Sequence, residues 1–385
     1  MNNDIAKSKV IAVWLFALLL SAIAIAAIGY KWYQVQRIYG EDTVIIKNKA
    51  DLDSVLKAKD TAEFQGDEKP FYIPTGFFIH SLAFITPSDV NITGYIWQKY
   101  PEDFPGDVEK GFIFPEEVSS ENTVLIERYK SKGMHNDKSY NMIGHYFDVT
   151  LRQTFDYSNY PLDFLTVWMR IWSKDIMYGT RVILVPDFDA YAQTGKDIFG
   201  VDLDIVGGEW EIDETFFSYK NIPYDTDFGF FTDTEEATYK EFFVNLGIRR
   251  KFINGFVINL VPLLVVALLL SAQIMTVSGH RERAKNFGFT ANGAIATCSA
   301  LFFVVLLAHV QVRGQFAGSG LVYLEYFYLI MYVMILLTSL NAYIFSIGKL
   351  KHFNLIQYRD NFIPKVAFWP AMLWAMAVVT WLELG

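Results

Sequence analysis

The sequence predicts a water-facing β-sandwich with one membrane-spanning helix before it and a block of four spans after it. Three observations carry that expectation. Of 385 residues, 52% are apolar in the broad sense and only 19% are charged, and the mean hydropathy is +0.21, on the apolar side of zero. The apolar excess is concentrated rather than spread: stretches without a charged side chain run over Val10–Tyr30, Phe252–Gly279, Asn286–Val312, Tyr326–Gly348 and Val366–Leu382. Between the first stretch and the rest, short runs of β-branched and aromatic residues alternate with turn clusters, as strands do.

Taken in order, residues 1–30 read as an N-terminal membrane anchor. Lys7 and Lys9 precede the apolar run and Ala-Ile-Ala lies near its end, so a signal peptide is the other reading. The run is long for a signal, and Lys31 follows it as a stop. Residues 31–69 read as a linker with one short helix, ADLDSVLKAKD, which Asp51 can cap. Residues 70–250 supply the strands FFIHSLAFI, NITGYIW, NTVLIERYK, YFDVTLRQTF, FLTVWMRIW, TRVILV, GEWEIDETFFSY and TYKEFFVNLGIRR. No helical period interrupts them, which predicts a sandwich. Residues 251–385 hold the four remaining apolar windows. A hydrocarbon core about 30 Å thick needs about 20 helical residues, and the last window falls just short of that.

Loop charges orient the spans. Arg281, Arg283 and Lys285 follow the second window, and Lys349, Lys351, Arg359 and Lys365 follow the fourth, while the loop after the third has only Arg313. The positive-inside rule puts the first two loops in the cytoplasm and the β-domain outside. Arg249, Arg250 and Lys251 break the rule at the outer mouth of the second span, so those charges are expected either to have a partner or to snorkel to lipid phosphates.

Composition also excludes classes. With 42 acidic and 33 basic residues the net charge is -9, the wrong sign for a nucleic-acid binder. One cysteine, Cys298, permits neither an internal disulfide nor a cysteine-based metal site. The six histidines lack metal-ligand spacing, and there is no Gly-rich phosphate loop or nucleophile elbow. Neither an enzyme nor a cofactor is expected. His309, inside a span, reads as a proton-sensitive or simply hydrogen-bonded residue, and Glu325 as a headgroup-level acid.

Within this frame FDYSNYPLDF at residues 155–164 resembles the loop that names the Cys-loop receptors, the pentameric ligand-gated ion channels. Tyr160, Pro161, Leu162 and Asp163 match its aromatic, proline, hydrophobic and aspartate core. The flanking cysteines are absent, as in prokaryotic members. IPTGFFIHSLAFITPSDVNITGYIW resembles the first two strands of that family, GGEWEID the strand before the ligand-capping loop, and NLGIRRKFINGFVINLVPLL the passage into the first pore-domain helix. RAKNFGFT resembles the start of the pore-lining helix and GLVYLEYFYLIMYV that of the third helix. These pieces cover residues 70–385; the N-terminal span is extra to the family plan.

The resemblance implies an immunoglobulin-like periplasmic sandwich on a four-helix pore, in a homopentamer of the bacterial inner membrane, opened by an unknown small molecule or ion at subunit interfaces. It implies coupling through Asp89, Tyr160, Pro161 and Asp163, with Asp163 pairing to Arg249 or Arg250. The Tyr160–Pro161 bond could be cis or trans. Asn286, Thr290, Gly293, Thr297 and Ala300, at helical spacing, would line the pore, with Val304 and Leu307 as a constriction; the same small residues also suit helix packing. Trp172, Tyr178, Tyr219, Tyr224, Phe228 and Phe230 would form an aromatic ligand site suited to a cation, or else core. Glu282 among basic neighbours leaves ion selectivity open. A non-conducting membrane sensor read out by partner proteins is the rival class.

Overall fold

The structure is a computed structural model. It describes all residues except 1, 37–42, 60–70, 136–137, 175–181, 193–196, 203, 206, 227, 229–236, 281, 283–285, 287, 317–319, 349–353 and 385. The chain divides into two compact units: a helical one (Met1–Gln36, Asp156–Asp163 and Lys251–Gly385) and a β-rich one (Arg37–Phe155 and Phe164–Arg250).

The β-rich unit holds ten described strands: β1 (Thr43–Ile46), β2 (Phe71–Phe84), β3 (Asp89–Pro101), β4 (Phe112–Ile113), β5 (Val124–His135), β6 (Lys138–Arg152), β7 (Phe164–Ser173), β8 (Val182–Pro186), β9 (Trp210–Tyr224) and β10 (Ala237–Arg250). They form two five-stranded sheets, ordered β1-β9-β10-β7-β4 and β5-β6-β3-β2-β8. Each of the eight segments read from sequence contains a strand in its described residues. The alternation that identified them is also the burial pattern: every second residue of β3 and β7 is buried, as expected when one sheet face meets a core. Aromatic rings join the two sheets. Phe77 of β2 meets Phe217 of β9 at 5.3 Å, and Phe199 meets both at 5.7 Å. Pairs of this geometry contribute about 0.5–1.5 kcal/mol each beyond their burial.

Two sequence expectations are corrected here. Within the stretch read as a linker, residues 31–34 end α1, while Thr43–Ile46 is a strand that pairs antiparallel with Phe217–Lys220 of β9 and buries Ile46 fully. The short helix α2 (Lys49–Lys59) is capped by Asn48 rather than Asp51. The Asn48 Oδ1 accepts the Asp51 N–H at 3.0 Å, while Asp51 reaches back to the Lys47 N–H at 2.9 Å. Both oxygens satisfy donors that a helix start leaves open.

The helical unit contains α1 (Asn2–Gln34), α3 (Phe252–Thr276), α4 (Ala291–Gln315), α5 (Tyr323–Ile347), the short α6 (Asn354–Gln357) and α7 (Phe362–Glu383). Five of these are long and apolar enough to cross a membrane, and α7 now reaches that length. A π-helical turn at Phe256–Leu260 interrupts α3 just ahead of Pro262, whose missing N–H cannot close the regular ladder. The first span, α1, lies along α7. Its buried residues Ala17, Ser21, Ala24 and Ile28 recur at helical spacing, and small side chains of this kind let helix axes approach in lipid.

Candidate functional site

The 156–163 segment packs with the helices rather than with the strands, and its residues meet three of them. Tyr160 and Tyr157 place their rings 4.6 and 5.1 Å from Phe316 at the end of α4. The Ser158 carbonyl accepts the Tyr323 N–H at 2.7 Å and the Tyr160 carbonyl accepts the Leu324 N–H at 3.3 Å. These are first-turn donors of α5 that have no partner inside the helix. On α3, the π turn brings the Asn259 amide to the Tyr160 hydroxyl at 2.9 Å, and Asn259 is itself buried. Pro161 follows a cis bond and lies against Gly255, where an added Cβ would fall 2.5 Å from its own Cβ; only glycine permits this approach. Asp163 is buried beside them. Phe316 and Asn259, the residues that complete the arrangement, carry no sequence signal beyond being apolar or polar within a span.

Next to it lies a buried carboxylate. Glu325, in the first turn of α5, is 1% exposed. Its Oε2 accepts the Val322 N–H at 2.9 Å and Arg313 Nη1 at 3.3 Å, and its Oε1 faces His309 Nε2 at 3.2 Å. His309 Nδ1 lies 3.1 Å from the Tyr332 hydroxyl, and the ring stacks on Tyr328. With Nε2–H donating to Glu325 and Nδ1 accepting from Tyr332, a neutral imidazole satisfies every contact. The set ties α4, through His309 and Arg313, to the first turns of α5. The chain matches no model of a known protein family, and no curated protein matches it.

The stripe expected to line a pore is shorter than its spacing suggested. Helix α4 begins at Ala291, with Thr290 as its cap accepting the Gly293 N–H at 3.0 Å. Gly288 takes φ +63° just upstream, so the 3.6-residue period does not extend back to Asn286. Within the helix Gly293, Thr297, Ala300, Val304 and Leu307 are all exposed, while Ala294, Cys298, Leu301 and Val305 pack inward. Thr297 returns its hydroxyl to the Gly293 carbonyl at 3.0 Å, which shields that carbonyl on an otherwise apolar surface.

In the β-rich unit the expected aromatic ligand residues separate. Tyr219 is a correction: it is 2% exposed with its hydroxyl donating to the Leu184 carbonyl at 2.6 Å, and burial pushes its phenol well above the usual range. It belongs to the core because its side of β9 faces the other sheet. Tyr178 and Phe230 lie outside the described residues. Trp172, Tyr224 and Phe228 do cluster, with ring centroids 5.3–6.2 Å apart.

The polar edges of that cluster are turned onto an internal ion pair. Glu241 accepts Trp172 Nε1 at 2.9 Å, the Tyr224 hydroxyl at 2.5 Å and Arg170 Nη1 at 2.7 Å. Arg170 also pairs with Glu116, and its guanidinium carbon lies 5.6 Å from the Trp172 ring. Burial, followed by the bond to Glu241, raises the Tyr224 phenol well above its ordinary range. The chain thus supplies its own cation where sequence reasoning anticipated one from a ligand.

The remaining coupling candidates have partners inside the β-rich unit. Asp89, at the start of β3, holds Arg152 opposite it on β6 through bonds of 2.7 and 3.1 Å, and this guanidinium keeps its carboxyl below the usual range. Arg249 contacts Glu211 at 3.0 Å, and Arg250 contacts Glu209 at 2.6 Å with its guanidinium 4.1 Å over Trp210.

Proposed function

We propose that the chain is a subunit of a homopentameric ligand-gated ion channel of the Cys-loop type, set in a bacterial inner membrane with its β-sandwich periplasmic. The observation that carries this reading is the 156–163 loop, which covers one end of three apolar helices while its flanks continue into strands β6 and β7. A segment that is continuous with a β-rich unit, yet caps α5 and grips Phe316 of α4, can pass a change in the strands to the helix with the exposed small-residue stripe. In this reading Gly293, Thr297 and Ala300 face the conducting path, Val304 and Leu307 narrow it, and Glu325 joins the pore helix to its neighbour. The edge strand β5, with Leu125, Ile126 and Met134 exposed, would meet the next subunit. The buried Arg170–Glu241 pair argues against an organic cation seated among Trp172 and Tyr224. The unknown ligand would instead enter by displacing Phe228, which is 43% exposed.

Purified full-length protein should sediment as a pentamer in detergent and pass current in planar bilayers. In a Cys298→Ser background, Thr297→Cys should react with a water-soluble thiol reagent and block that current. A different oligomer, or silent bilayers with Thr297→Cys unreactive, would return the reading to a non-conducting sensor.

A further inference from the structure

The first helix is docked along its length, and the contacts fix its direction. Trp14 packs edge-on to Phe362 at 6.3 Å, at the start of α7. At the other end the Lys31 ammonium reaches the Leu384 carbonyl at 3.4 Å and lies 4.7 Å from the centre of the Trp381 ring. Helices α1 and α7 therefore run parallel. Between these points the buried stripe of Ala17, Ser21, Ala24 and Ile28 faces inward, and Leu15, Phe16, Leu18 and Leu19 face out.

At the Lys31 end, Trp32 does more than pack. Its Nε1–H donates to the Tyr323 hydroxyl at 2.8 Å. The Tyr323 hydroxyl lies 2.7 Å from Thr380 Oγ1, which donates to the Met376 carbonyl at 2.7 Å. Because Thr380 uses its proton on Met376, Tyr323 donates to Thr380, and the accepting side of the Tyr323 oxygen is left to Trp32. The bonds form one directed chain from α1 through α5 to α7, with Tyr323 and Thr380 both fully buried. Buried hydroxyls of this kind are costly to leave without a partner. Tyr323 is also the residue whose backbone N–H is taken by Ser158. One residue thus receives α1 through its side chain and the 156–163 loop through its backbone. Trp32 further sets its ring 5.4 Å from Phe252 at the start of α3.

We propose that α1 is a fifth member of the bundle and that Trp32 is a positioning residue for gating: through Tyr323 it holds the start of α5 in the place where the 156–163 loop engages it. The gating part rests on the channel reading above; the positioning part does not.

The test uses full-length protein in phosphatidylcholine vesicles, with Trp32→Phe, Trp32→Gln (which keeps a donor at similar reach) and Tyr323→Phe. Hydrogen exchange at the Tyr323 and Leu324 amides should accelerate roughly three- to tenfold in Trp32→Phe and return to within about twofold of wild type in Trp32→Gln. In a Tyr323→Phe background the Trp32→Phe change should add nothing further. Spontaneous open probability in bilayers should shift about threefold or more in Trp32→Phe, with single-channel conductance unchanged. Unaltered exchange, or the same acceleration in the Tyr323→Phe background, overturns the positioning role. Altered exchange with unaltered open probability overturns the gating part, since Trp32 then positions the start of α5 without moving the gate. A wild type that never conducts would sink the channel reading, and the exchange rates would still decide whether Trp32 positions α5.

Discussion

Glu241 and Glu325 are two buried carboxylates held in two different ways. Both are almost fully enclosed, and each accepts from three groups. The donors to Glu241 come from Arg170 and Trp172 on β7 and Tyr224 on β9, the neighbouring strands on its two sides, at 2.5–2.9 Å. Strand ladders fix those positions before the side chains meet. The side-chain donors to Glu325 come from another helix, α4, at 3.2–3.3 Å, and only the Val322 N–H belongs to its own helix. Among the described residues no backbone bond joins α4 to α5, so these contacts help to make the joint. A charge set in a sheet is held by its surroundings; a charge set between helices holds its surroundings.

The sharpest way to break that comparison is Arg170→Met. It leaves the buried Glu241 and the partly buried Glu116 without their shared cation and should cost about 3–5 kcal/mol, read as a lowered denaturation midpoint of the full-length protein by near-ultraviolet circular dichroism. Glu325→Gln should cost less, about 1–3 kcal/mol, because the amide oxygen still accepts the Val322 N–H while the bonds to Arg313 and His309 weaken. A loss equal to that of Arg170→Met in detergent thermal melts would erase the distinction between the two sites.

The smallest effect concerns His145 on β6, whose imidazole is held below its ordinary value of 6.5 by burial, against the nearby charge of Glu127 and with that of Lys130 and Lys174. The unfolded chain takes up a proton at a pH where the folded one does not. The stabilisation is therefore complete above the unfolded value and is lost as pH falls through 6.5 toward the folded value. Melting temperatures between pH 7.5 and 5.5 should fall less steeply in His145→Gln. An unchanged slope would remove His145 from the account.

Much of the fold was legible because it is written in period and charge. The five spans announce themselves by the charges they lack, and β3 and β7 by an alternation that the core repeats residue for residue. β1 escaped because TVII is too short to show a period and lies among polar neighbours. The stripe on α4 was overextended at Asn286 because periodicity does not register a left-handed glycine at 288. Of the loop, Tyr160 and Pro161 could be singled out from their motif, but Phe316 and Asn259 could not. In helices that are apolar all round, one more aromatic or one asparagine points nowhere until the fold supplies its neighbour. The link from Trp32 to Tyr323 spans 291 positions of chain, and no local pattern encodes it.

The parallel pairing of α1 with α7 also sets an order of assembly. Because α1 precedes α7 in the chain, the contacts that Lys31 makes with α7 form only after α7 has been made. Only then can Lys31 reach the Leu384 carbonyl and Thr380 accept from Tyr323. Two helices far apart in the sequence thus meet in one bundle. A chain cut short before α7 would leave the face of α1 formed by Ala17, Ser21, Ala24 and Ile28 without the helix that covers it.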